Sequence, residues 1–424
     1  MSFASTSREQ PGQGLKDWCS ILQIVTSFLV AIWMFGQAFL LLLVWILGFI
    51  VPELVGTETG MLYSLGLVSG LIGLLVLPSG LTALYSVRRC PLPKWLDVSS
   101  LRLGKIINLS IIALPAILAL GWLAGSTKAL STFLLPPLGI LSVCIPVLWM
   151  IDYGQRGFSS GSPQRKWGIF GFSLTINPLL IIIIELILAL GGLVIFGIWA
   201  ASNPNIVNVL TDLGRRISLA GDDVERILRM LQPYLTRPGV IFWAIVAVAG
   251  IVPLIEEMFK TLGVWMLSGR KLLPEEGFVA GLLCGAGFAL VEGLFNLSSI
   301  TGGEGWLILV MGRMGSSLLH VFTGVLIGWG LAATWRDGKI FRYIGSYLLS
   351  VLIHALWNLL AVSAAFFPMI VFPENVISSR EELLFYIPLV TLGVVLLAAF
   401  IIFTLYIRKQ YHQTADELKV KPES

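Results

Sequence analysis

The chain has 424 residues, of which 56% are hydrophobic and 12% charged, with a mean hydropathy of +0.89 and a formal net charge of +4. Those values exclude an ordinary soluble domain, and basic residues scattered through short loops exclude a nucleic-acid-binding patch. The four cysteines, Cys19, Cys90, Cys144 and Cys284, form no C-x-x-C pair and no zinc-ligand spacing, so no disulfide framework is implied.

Apolar runs long enough to cross about 30 Å of hydrocarbon recur along almost the whole length. The expected fold is therefore all-α, a polytopic membrane helix bundle of about ten transmembrane helices. A polar tail covers 1–17, and the run after it is too long for a cleaved signal peptide, so the tail is expected to stay on the first span. The N-terminal membrane region, 18–202, holds five spans near 18–52, 61–86, 106–126, 130–151 and 172–199. Arg88, Arg89, Lys94, Arg102 and Lys105 follow the second span and mark a cytoplasmic segment by the positive-inside rule. Threading from there puts both termini in the cytoplasm, and the cell membrane is the expected location. Glu185 in the fifth span reads as a helix-contact residue, with a second functional site as the alternative.

Residues 203–237 mix charges with Val224, Ile227, Leu228, Leu231 and Leu235 at helical spacing, which predicts an extracytoplasmic amphipathic helix on the membrane surface. Spans at about 238–267, 278–300, 306–335 and 344–367 follow, then a last one at 384–407 within a C-terminal region of 368–424. Gly281 with Gly285, Gly312 with Ser316, and Gly324 with Gly328 are the spacings that let membrane helices approach closely.

Charge inside the spans concentrates in 238–367, which holds Glu256, Glu257, Lys260, Glu292, Arg313, His320 and His354. A charged side chain at mid-membrane costs roughly 2.5–3.5 kcal/mol on insertion scales, so these groups must face protein or water. Pro253 and Gly250 predict a bend that frees backbone groups just before the glutamates. Alternating topology sets Glu256, Glu292, His320 and His354 roughly 15–23 Å below the cytoplasmic ends of their helices, at one level. Helical spacing adds Lys260 four after Glu256, Asn296 four after Glu292, Asn358 four after His354, and Arg313 seven before His320. Three glutamates against one lysine and one arginine leave room for one further proton, as acid–base chemistry requires.

Pro-Leu-Ile-Glu-Glu-Met-Phe-Lys at 253–260, Gly-Phe-Ala-Leu-Val-Glu at 287–292, Arg313 through His320, and His-Ala-Leu-Trp-Asn at 354–358 resemble the four motifs of the PrsW family of intramembrane proteases. The layout is more distantly similar to the CAAX prenyl endopeptidases. One departure stands out: the family's asparagine after the second-motif glutamate is replaced by Gly293, with Asn296 further on. The resemblance covers 238–367 and implies a four-helix catalytic core hydrolysing peptide bonds of membrane-embedded or membrane-proximal substrates. Glu256 or Glu257 would deprotonate a water, with His320 and His354 orienting it or stabilising the oxyanion and Lys260 keeping the base ionised. Glu256 is the expected base, because it shares a face with Lys260 and with Gly263, whose missing side chain leaves room for water. Glu257 would then fix a histidine or the substrate backbone. A metal-free scheme without cofactor is favoured here, and zinc on Glu256, His320 and His354 is the alternative. A proton- or ion-coupled transporter and a non-catalytic membrane binding or immunity protein are the readings from other classes.

Overall fold

A computed structural model describes residues 14–51, 59–96, 103–158, 161–221, 223–297, 303–371 and 379–420. Most of the expected 1–17 tail, Arg102 of the basic loop and Asp222 of the amphipathic segment lie outside them. The described residues are 91% helical without a strand, and ten helices are long and apolar enough to span a membrane. Helix is the required solution, since a backbone in hydrocarbon must bond itself.

The chain divides into two compact units. The first comprises residues up to Thr175 together with Ala286–Met314. In it α1 (Gly14–Ile50) packs along α2 (Thr59–Val87), and α3 (Leu103–Ala124) along α4 (Lys128–Gln155). Gln23 on α1 donates to the carbonyl and hydroxyl of Ser79 on α2, at 2.9 and 3.2 Å, which satisfies an amide that hydrocarbon would penalise. Gly121 on α3 lies against the buried Trp306 ring, where any side chain would overlap it.

The second unit comprises Ile176–Gly285 and Gly315–Ser424. It takes the later part of α5 (Pro163–Ala201), then α6 (Pro204–Ala220) and α7 (Val224–Leu235). These two helices stand where one was expected over 203–237. Gly221 separates them at φ 57°, the left-handed region glycine tolerates best. Asp212 of α6, partly exposed, is held below the usual carboxylate range by the Arg216 and Arg215 guanidinium groups.

The span expected at 238–267 is built in pieces: α8 (Pro238–Ile245), a π-helical stretch (Val246–Ile251), α9 (Val252–Phe259) and α10 (Leu262–Trp265). Beyond it come α11 (Pro274–Asn296), α12 (Gly303–Asp337), α13 (Ile340–Val371) and α14 (Ser379–Val420). Within the second unit, Gly277, Gly281 and Gly285 of α11 lie directly on the backbone of α12 at Gly328, Gly324 and His320. A methyl at any of the three would strike main-chain carbonyls, which cannot move aside. Gly312 behaves differently from the expectation, because a Cβ there would meet nothing within 4 Å among the described residues.

Candidate active site

The site starts from a helix interrupted on both sides of its two glutamates. In the π-helical stretch the Val252 N–H bonds Ala247, five residues back. In that register the next donor would be residue 253, and Pro253 has none. The carbonyl left over is therefore that of Val248, one residue before the Ala249 that α-helical spacing predicts. Asn358 of α13 fills the gap, donating Nδ2 to the Val248 carbonyl at 2.8 Å, and the Tyr347 hydroxyl bonds the Leu254 carbonyl at 2.9 Å. Helix α13 thus grips the bend at two points.

The second interruption lies at Lys260 and Thr261, between α9 and α10. It breaks the continuous face on which Glu256 and Gly263 were expected to lie together. Glu257 and Lys260 are fully buried. Lys260 Nζ donates to Glu257 Oε1 and to Thr323 Oγ1. Lysine therefore pairs with Glu257 three residues back rather than with Glu256 four back. Thr323 Oγ1 lies 3.2 Å from Glu257 Oε1 and 2.9 Å from the Leu319 carbonyl, so Lys260 and Thr323 both close on one carboxylate oxygen. A buried charge pair needs such extra bonds to offset its desolvation.

His354 Nδ1 lies 2.8 Å from the same Glu257 oxygen. A carboxylate only accepts, so Nδ1 carries a proton, and in the neutral ring Nε2 is then the nitrogen with the lone pair. That nitrogen lies 3.7 Å from Glu256 Oε2, and the Glu256 side chain retains 12% exposure where Glu257 has none. His320, 1% exposed, presents its ring nearly perpendicular to that of His354, with centroids 5.1 Å apart. Its Nδ1 is 3.5 Å from Lys260 Nζ.

One ligand atom each from Glu256, His320 and His354 falls within 4.8 Å of the other two. Two imidazoles and a carboxylate form a zinc-type donor set with room for a fourth ligand. Glu257 behind His354 Nδ1 is the outer partner that fixes the tautomer of such a ligand. The donor chemistry therefore fits a zinc ion.

Glu292 and Arg313, the remaining expected pair of site groups, belong to the first unit and bond each other, Nη1 to Oε1, at 2.7 Å. Asn296 donates to the Glu292 backbone carbonyl at 2.8 Å. Asn358, expected as a partner of His354, holds the helix bend. Thr323 was missed from the sequence, although its position three after His320 on one helix face was a usable signal. Asn177 was missed as well: its Nδ2 donates to the Lys260 carbonyl at 2.6 Å, and its only signal is an amide inside an apolar span.

A family model described as PrsW family intramembrane metalloprotease matches residues 188–403, half of the chain. No curated protein and no solved structure matches.

Proposed function

The chain belongs to the PrsW family of intramembrane metalloproteases and is an intramembrane protease, and from that premise we propose that Glu256, His320 and His354 are its reacting side chains. The observation that carries this reading is the convergence of their ligand atoms within 4.8 Å, beside a buried carboxylate that holds one histidine in a single tautomer. The substrate is a peptide segment of a membrane-embedded or membrane-anchored protein, and the protein works in the lipid bilayer of the cell membrane.

In the proposed chemistry Glu256, His320 and His354 hold a zinc ion, which when bound lowers the pKa of water and polarises a carbonyl. Glu257 does not meet the substrate. It accepts the hydrogen bond from His354 Nδ1 and so keeps Nε2 directed at Glu256, while Lys260 and Thr323 hold Glu257 in place.

A second reading rests on one contact. The ammonium of Lys260 facing His320 Nδ1 favours a lone pair there and a proton on Nε2, which makes His320 a donor toward an oxyanion rather than a ligand. In that metal-free reading Glu256 is the general base. Metal analysis of the purified protein separates the two. The zinc reading expects one bound ion per chain, its loss in His354→Ala, and cleavage abolished by a chelator and restored by added zinc. Full cleavage by metal-free protein would leave the glutamate scheme standing alone.

A further inference from the structure

The helix that carries the glutamates ends at Lys260 in an unusual way. In an uninterrupted helix the Lys260 carbonyl would receive the Val264 N–H. That N–H instead bonds the Thr261 carbonyl at 2.8 Å, and Thr261 sits at φ −93°, ψ 10°, outside the helical range. The donor that meets the Lys260 carbonyl comes from another helix: Asn177 of α5, itself fully buried, at 2.6 Å and 83 positions earlier in the chain. Lys260 is thereby held at both ends, its carbonyl by Asn177 and its ammonium by Glu257 and Thr323.

We infer that Asn177 is a positioning residue of the hydrolytic site, anchoring the C-terminal end of α9 at the Lys260 carbonyl, and with it the break at Thr261, so that the Glu257–Lys260 pair is held against His354 and Thr323. The inference rests on the reading of Glu256, His320 and His354 as the reacting groups. Asn177 lies N-terminal to the matched segment 188–403, so the family match does not supply it. Burying a side-chain amide in apolar surroundings costs roughly 2–7 kcal/mol without a hydrogen bond, so an asparagine whose only purpose was packing would be better replaced by leucine. The acceptor it meets is the backbone of the residue whose side chain organises the site. Without that donor the carbonyl can be satisfied by closing the helix through Thr261, which would release the end of α9 from α5 and shift the Glu257–Lys260 pair as a unit against α12 and α13.

Asn177→Leu keeps the approximate volume and removes the donor. The control is Gln23→Leu, which removes a comparable interhelical amide bond in the first unit. Full-length protein in lipid nanodiscs is followed in three ways: kcat and KM on a membrane-anchored peptide cleaved by the wild type, thermal unfolding, and amide hydrogen exchange of residues 258–266. The expectation is that both variants unfold at lower temperature, whereas only Asn177→Leu changes exchange within 258–266. Only Asn177→Leu should lower kcat, by about 10- to 100-fold, with KM within about two-fold, as misplacement of a reacting group predicts. Unchanged exchange at 258–266, or an equal fall in kcat in Gln23→Leu, would overturn the inference. Glu256→Gln in the same assay tests the underlying reading separately. Should that variant cleave normally, the assignment of reacting groups fails, and the exchange data alone decide whether Asn177 sets the break.

Discussion

At the scale of single residues, the two adjacent glutamates have separate environments and therefore separate failures. Glu257 is fully buried with Lys260, and removing one member of a buried pair strands the other charge at a cost of about 3–5 kcal/mol. Glu256 is partly exposed and faces His354 Nε2. Glu256→Gln is therefore expected to fold with nearly wild-type thermal stability and lose about 10²-fold or more in cleavage. Glu257→Gln is expected to lose both stability and cleavage. The measurement is thermal unfolding alongside cleavage for each variant; an unstable Glu256→Gln with a stable Glu257→Gln would exchange the two assignments, and full cleavage by both would remove the glutamates from the mechanism. The residue types of this cluster were legible because charge and histidine inside apolar spans are costly without a use. Their pairings were less so. Lysine at i+3 and at i+4 both face a glutamate on an ideal helix, and the Arg313–Glu292 bond joins positions 21 apart on different helices, which no helical spacing encodes.

At the scale of elements, the span boundaries followed from hydropathy and length, since a bilayer admits few alternatives to a helix of about 20 residues. The interior of the broken span did not. Pro253 announces a missing donor but not the register of the ladder before it, and the shift to five-residue bonds moves the freed carbonyl from Ala249 to Val248. The break at Lys260 and Thr261 has neither glycine nor proline at its centre and depends on Asn177, far away in sequence. These interruptions make α13 more than a carrier of His354. Its Asn358 completes the backbone bonding of the bend at a carbonyl exposed on the surface of an apolar span, and such a group left without a donor away from water costs about 1–3 kcal/mol. Asn358→Leu is expected to destabilise by that order and to reduce cleavage with the Glu256 side chain intact, as read from thermal unfolding and kinetics. Wild-type kinetics in Asn358→Leu would mean that the bend does not depend on α13.

At the scale of the whole molecule, the expected function depends on which side of the membrane each helix end occupies. In the threading expected from the sequence, ten spans would put both termini on one side, and the basic residues after α2 point to the cytoplasm as that side. On that threading α1–α4 would return the chain to it, α5 would cross outward, and α6 with α7 would lie outside. Four cysteines offer a direct check. Cys19 at the start of α1 and Cys90 just past α2 are both exposed and, at opposite ends of a two-helix hairpin, must share a side, while Cys284 is buried. A membrane-impermeant thiol reagent applied to intact cells is expected to leave Cys19 and Cys90 unmodified and to label Asn208→Cys, whose parent side chain is exposed on α6. Both native cysteines should react once the cells are opened, which shows that protection came from the membrane and not from packing. Labelling of Cys90 in intact cells, or protection of Asn208→Cys, would invert the threading. The proposed substrates would then be those reaching the site from the opposite side of the membrane.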